Sequence, residues 1–178
     1  MEHFFNTAGP TKPDLHYHLD PLARVDWPEI QHLIATQRYF VLHAPRQTGK
    51  TTTLLAMMKA LNEGGRYACA YANIEGAQAA RGDATQGIPA ACDAVARSIA
   101  LYLDAPAVPV WNQTQGRQQS AQDQLTALLT HWARTSAKPT VLLLDEVDAL
   151  VGDTLISLLR QIRAGYAQRD RKSTRLNS

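Results

Sequence analysis

Gly49, Lys50 and Thr51 close the stretch Ala44-Pro-Arg-Gln-Thr-Gly49-Lys50-Thr51, which has the spacing of the phosphate-binding loop GxxxxGK[ST], with Ala44 in place of the first glycine. The residue types suit polyanion chemistry. A loop of backbone N–H groups opening into a helix offers hydrogen-bond donors and the positive end of the helix dipole to a row of phosphate oxygens. Gly49 allows close backbone approach, and Lys50 is a mobile cation long enough to reach β- and γ-phosphates. The Thr51 hydroxyl can ligate the Mg²⁺ that bridges those phosphates, and the Thr52 N–H is expected nearest the α-phosphate. The cradle comprises Ala44, Pro45, Arg46, Gln47, Thr48, Gly49, Lys50, Thr51 and Thr52. Ala44 is tolerated at the first position provided its φ is negative.

A second group of residues completes such a site. Thr140-Val-Leu-Leu-Leu-Asp145-Glu146 places two carboxylates directly after an aliphatic run, with Lys138-Pro139 as the turn before it. Asp145 is positioned to hold the metal shell. Glu146 is positioned to polarise an attacking water as general base. Taken singly, a Gly/Thr-rich turn and a strand ending in solvent are the plain readings of these two stretches. Their joint occurrence in this order favours a site.

The elements that must carry these residues are legible as patterns. Residues 39–43 (YFVLH) form a short apolar run suited to a buried parallel strand, and Leu54, Leu55, Met58 and Leu61 give the segment after the loop helical spacing. Strand, loop and helix follow in the required order.

These motifs, APRQTGKTT and VLLLDEVD, resemble those of the P-loop ATPases of the additional-strand, catalytic-glutamate division, which includes AAA-type proteins and their signalling relatives. The resemblance is closest to prokaryotic AAA-like ATP-binding proteins carrying PRQTGKTT. It runs from about Phe5 to Arg169, through FNTAGP, the YANIE strand end and GDTLISLLRQIRAGY. It implies an α/β fold, a three-layer P-loop core with a mostly parallel sheet, and Mg²⁺-dependent ATP hydrolysis by a switch or motor. In that reading Lys50 and Glu146 are catalytic, Thr51 and Asp145 hold Mg²⁺, and a homo-oligomer or an effector domain is the partner. ATP over GTP rests on the resemblance, supported by the absence of an NKxD base-reading motif and by DEVD where a GTPase would carry DxxG. Two other readings stay open. One is a helicase or translocase, since DEVD also resembles the helicase DExD box, although no basic or aromatic strand-tracking run accompanies it. The other is a non-catalytic nucleotide-binding module.

In the resembled family a fourth strand lies between the phosphate-loop strand and the Asp145 strand. It follows the helix near residues 152–169, and the chain stops before it, so strands four and five are expected to be missing. Residues 39–43 and 140–145 are then expected as strands that do not pair directly, while the strand near 67–73 pairs with 140–145. The open slot leaves ladder groups unpaired, and the isolated chain is expected to be poorly stable and inactive.

Away from the site, 178 residues with 45% hydrophobic and 19% charged content suit a folded domain with a real core. Residues 26–169 are read as the partial ATPase domain and residues 1–25 as an irregular arm with turns at Gly9-Pro10 and Lys12-Pro13. His16 and His18 lack accompanying acids or cysteines, so packing is favoured over a metal site. DRKSTRLNS, residues 170–178, resembles a translated sequencing adapter. Excluding it removes three basic residues and one acid and brings the formal charge from +2 to zero, so charge gives no support for a nucleic-acid partner. Nothing approaches a membrane span or a leader, and Cys69 and Cys92 read as buried free thiols, so the chain is expected to be cytoplasmic.

Helices are read from Asp26 with Pro28 in the first turn, over residues 88–103, from Ser120 with stripe Leu125, Leu128, Leu129 and Trp132, and from Gly152. The last has Leu155, Leu158, Leu159, Ile162 and Tyr166 inward and Arg160, Arg163 and Arg169 on the other side. Residues 112–119 read as a polar linker. Asn73 and Glu75 sit at the carboxyl end of the second strand, the edge where open α/β sheets bind ligands, so either could touch the site, with capping of the next turn the favoured reading.

Overall fold

The computed structural model describes residues 14–15, 20–45 and 47–173, with side chains as far as residue 165. FNTAGP, the turns at 9–10 and 12–13, the His16/His18 pair, Arg46 and the side chains of Tyr166, Arg169 and residues 170–178 lie outside that set. The chain divides into two compact units, Met1–Gly64 and Gly65–Ser178.

The first unit is built around two capped helix starts. Asp20 accepts from the Leu22 N–H at 2.9 Å and opens a 3₁₀ turn, Pro21–Arg24. Asp26 accepts from the Glu29 N–H at 3.1 Å and opens α1, Trp27–Ala35, with Pro28 in the first turn, where its missing N–H costs no helix bond. Ile30 and Ile34 are buried. The helix ends before Gln37, which turns out at φ 57° and is exposed. Next comes the phosphate-loop segment and then α2, Lys50–Glu63, which buries Leu54, Met57, Met58 and Leu61 and stops at Gly64 and Gly65, the latter at φ 71°.

Residues 39–43 are the first correction. They carry no strand assignment, and Tyr39 and Val41 are 48% and 88% exposed. An apolar run becomes a strand only when a neighbouring edge satisfies its N–H and C=O groups, and no described segment forms a ladder with this one.

In the second unit the strands are β1, Ala68–Asn73, and β2, Thr140–Asp145, paired in parallel with Ala68 opposite Thr140 and Asn73 opposite Asp145. This is the pairing expected from the sequence. The chain is therefore a mixed helix/strand protein with a small parallel sheet. Helix α3, Ala84–Leu103, packs against β1 and presents Ile88, Ala91, Val95 and Ile99, all buried. It begins four residues before the expected start because Asp83 caps it, accepting from the Thr85 N–H at 2.9 Å.

Residues 112–119 are not a linker. Helix α4, Ala107–Thr114, includes Asn112, which is fully buried, and a 3₁₀ turn, Gly116–Gln118, follows. Polarity misleads here because Asp93 supplies the partners: it accepts from Asn112 Nδ2 at 2.7 Å and Gln113 Nε2 at 3.0 Å, and pairs with the Arg117 guanidinium. Replacing Asn112 by Ala removes the acceptor of the buried Gln124 amide, which donates to Asn112 Oδ1 at 3.4 Å, and is expected to lower the unfolding free energy by about 1–3 kcal/mol. A urea midpoint unmoved by Asn112→Ala would contradict the network's structural role.

Helix α5, Gln124–Thr135, buries Leu125, Leu128 and Trp132, each side chain of that size contributing roughly 1.5–3 kcal/mol by leaving water. Ser120 Oγ does bond Asp123 Oδ2 at 2.8 Å, but the helix starts at Gln124. Its first amides are satisfied from α6, Gly152–Ser173, where Gln161 Oε1 accepts from the Leu125 N–H at 2.9 Å and the Thr126 N–H at 3.3 Å. The inward face of α6 accordingly includes Thr154, Leu158 and Gln161, with Leu155 and Ile162 part-buried. Leu159, expected inward, is 51% exposed. An apolar stripe cannot reveal a buried glutamine that caps another helix. Arg160 and Arg163 are exposed, as expected.

Candidate functional site

The residues singled out by the sequence fall into two groups, one in each unit. In the first unit, the loop turns on two positive-φ residues, Gln47 at 61° and Gly49 at 81°. Thr48 Oγ1 donates to the Pro45 carbonyl at 2.7 Å and closes the turn. Gly49 then serves as N-cap of α2 in the left-handed region, which a Cβ would penalise, and its carbonyl accepts from the Thr53 N–H at 2.9 Å. Having no side chain, Gly49 offers no cap to the first-turn amides of Lys50, Thr51 and Thr52. The positive helix end therefore faces the loop. Lys50, Thr48 and Thr52 are half-buried, Ala44 likewise, while Pro45, Gln47 and Thr51 are exposed and Arg46 lies outside the described residues.

In the second unit, Asp145 ends β2 and is only 2% exposed. Its carboxylate is held at both oxygens: Oδ1 accepts from the Glu146 N–H at 3.0 Å and Oδ2 from the Tyr71 hydroxyl at 3.1 Å. The parallel register explains the second bond. Tyr71 lies opposite Leu143 and Asn73 opposite Asp145, so residues 71, 73, 143 and 145 share one face of the sheet. Tyr71 is itself 8% exposed and meets Tyr102, near the end of α3, edge to face at 6.4 Å. Glu146 departs the strand at φ 59°, a left-handed conformation that costs a non-glycine residue roughly 1–3 kcal/mol. That turn redirects a half-buried carboxylate away from the strand line. Asn73 Oδ1 accepts from the Glu75 N–H at 2.8 Å, the capping role read from the sequence.

Tyr71 was not among the sequence candidates. Its position in YACAYANIE marked it as one of several strand apolars, and only the strand register shows that it reaches Asp145. Tyr71→Phe is expected to weaken Mg²⁺-dependent nucleotide binding roughly ten- to a hundredfold, the worth of one hydrogen bond to a charged group, while nucleotide binding without Mg²⁺ is unchanged. Equal Mg²⁺ dependence in the two proteins would contradict that role.

Cys69 and Cys92 are both buried free thiols, and burial pushes each up to about 12. Because the folded state keeps protons that the unfolded chain releases above about pH 9, their contribution to stability is complete below that pH and is lost as pH rises toward 12. Neither thiol is a nucleophile at neutral pH.

A parallel-sheet α/β chain with a glycine-capped loop-to-helix start and a carboxylate pair at a strand's carboxyl end defines the class of AAA-type nucleotide-binding ATPase domains. The chain belongs to the AAA domain family, whose model matches residues 33–176. No curated protein and no solved structure matches it. No described helix is long and apolar enough to cross a membrane.

Proposed function

We propose that this protein is a Mg²⁺-dependent ATPase whose cycle drives a conformational switch or motor in the cytoplasm. The observation that carries the reading is Gly49 at φ 81° capping α2, with Lys50 and Thr51 as its first residues, a geometry suited to anionic oxygens. Family membership supports it. Residues 44–52 bind the phosphates, with the amides orienting them and Lys50 neutralising charge as it develops on the transferred group. Thr51 and Asp145 offer the hydroxyl and carboxylate oxygens that a hard cation prefers, so their donor chemistry fits Mg²⁺. When bound, Mg²⁺ supplies charge neutralisation at the phosphates. Glu146, directly after Asp145, accepts the proton of the attacking water. A homo-oligomer or an effector domain would receive the resulting change. Buried free thiols suit a reducing compartment.

The test is phosphate release from ATP by this protein with and without Mg²⁺. Release should require Mg²⁺ and should fall at least tenfold in Asp145→Asn. Equal release with and without Mg²⁺ would contradict the reading. Stimulation by single-stranded nucleic acid would favour a translocase over a switch.

A further inference from the structure

The 3₁₀ turn Pro21–Arg24 precedes the matched family region, and no sequence motif draws attention to it. Yet it places a guanidinium against the phosphate loop. A Cβ built on Gly49 would lie 2.6 Å from Arg24 Nη1 and 3.7 Å from Arg24 Cζ, so the guanidinium occupies the space that the missing side chain leaves. The turn that carries Arg24 is fixed from two directions. Asp20 caps its start and Asp26 caps the helix just after it. On the side of α2, Thr53, which is 5% exposed, donates from Oγ1 to the Pro21 carbonyl at 3.5 Å.

Arg24, Lys50 and the amino end of α2 are all positive, and among the described residues the ion pairs are Lys59–Glu63 and Arg117–Asp93, neither of which involves Arg24 or Lys50. Two cations beside a positive helix end repel one another unless an anion joins them. A planar guanidinium with five donors is suited to phosphate oxygens, which it can grip through two parallel hydrogen bonds.

We infer that Arg24 is a second phosphate-binding cation of the nucleotide site, supplied by the segment ahead of α1. The inference rests on the nucleotide reading above and adds a residue to it. Gly49 then has two duties: its φ requires glycine, and its bare Cα admits the guanidinium.

The experiment is calorimetric titration of ATP and of inorganic triphosphate into this protein, comparing the unaltered protein with Arg24→Ala, Arg24→Lys and Lys50→Ala. Arg24→Ala should lose roughly tenfold in affinity for both ligands, and Arg24→Lys should recover part of it, keeping the charge without the fork. The thermal midpoint without ligand should be unchanged in both variants, which separates binding from folding. Should Arg24→Ala unfold, the Arg24→Lys protein alone decides: full affinity in it for both ligands would overturn a fork-dependent contact. Undiminished triphosphate affinity in a folded Arg24→Ala protein would overturn the inference while leaving the nucleotide reading intact, provided Lys50→Ala has lost binding. If Lys50→Ala also binds normally, the nucleotide reading itself fails.

Discussion

Glu146→Gln should bind ATP as tightly as the unaltered protein and hydrolyse it at least a hundredfold more slowly in a single turnover. The substitution keeps the shape of the side chain and its left-handed backbone, with φ at 59°, but removes the carboxylate that would take the water's proton. General-base catalysis contributes typically ~10²–10⁴-fold, and nothing in the amide can replace it. Because the Glu146 N–H, not its side chain, bonds Asp145 Oδ1, the substitution leaves the neighbouring carboxylate in place. Rapid quench of a stoichiometric mixture reads the chemical step directly. Hydrolysis at the unaltered rate would remove Glu146 from the chemistry, and absence of hydrolysis in both proteins would favour a non-catalytic nucleotide-binding module.

Lys50→Ala carries the second large effect, this time on binding. The substitution deletes a cation at the first position of α2, beside the glycine that starts the helix. A hydrogen bond to a charged group is worth ~1.5–3 kcal/mol, so affinity for ATP should fall roughly ten- to a hundredfold. Alanine is the best helix former, and the helix start is set by Gly49, so α2 should persist. A competition assay with a fluorescent nucleotide, together with circular dichroism, separates these outcomes. Full affinity in Lys50→Ala would remove the phosphate loop from the account.

What the sequence reveals and what it conceals divide along a physical line. The phosphate loop and the Asp145-Glu146 pair are local: their meaning lies in spacing along a few residues, and the glycine-capped start of α2 and the strand end at Asp145 appear where the spacing places them. The β1–β2 pairing was also expected, from the strand order of the resembled family. Contacts through space were not. Tyr71 reaches Asp145 across 74 residues of sequence, Asn112 finds Asp93 across 19, and Gln161 caps α5 across 36. In each case a buried polar group is paired by a residue distant in the sequence, a partner that local spacing does not reveal. Residues 39–43 failed in the opposite sense. Hydrophobicity favours an extended buried run, but a strand is a property of two segments, and no described segment forms a ladder with that one. Leu159 failed because Thr154, Leu158 and Gln161 take the inward face of α6.

The proposed function makes one central claim, that the chain binds a Mg²⁺-nucleotide. The most direct measurement is calorimetric titration of ATP into the protein, with and without Mg²⁺. The account predicts saturable binding at one site per chain, tightened by Mg²⁺ and displaced by ADP. No binding at millimolar ATP, or binding indifferent to Mg²⁺, would contradict it.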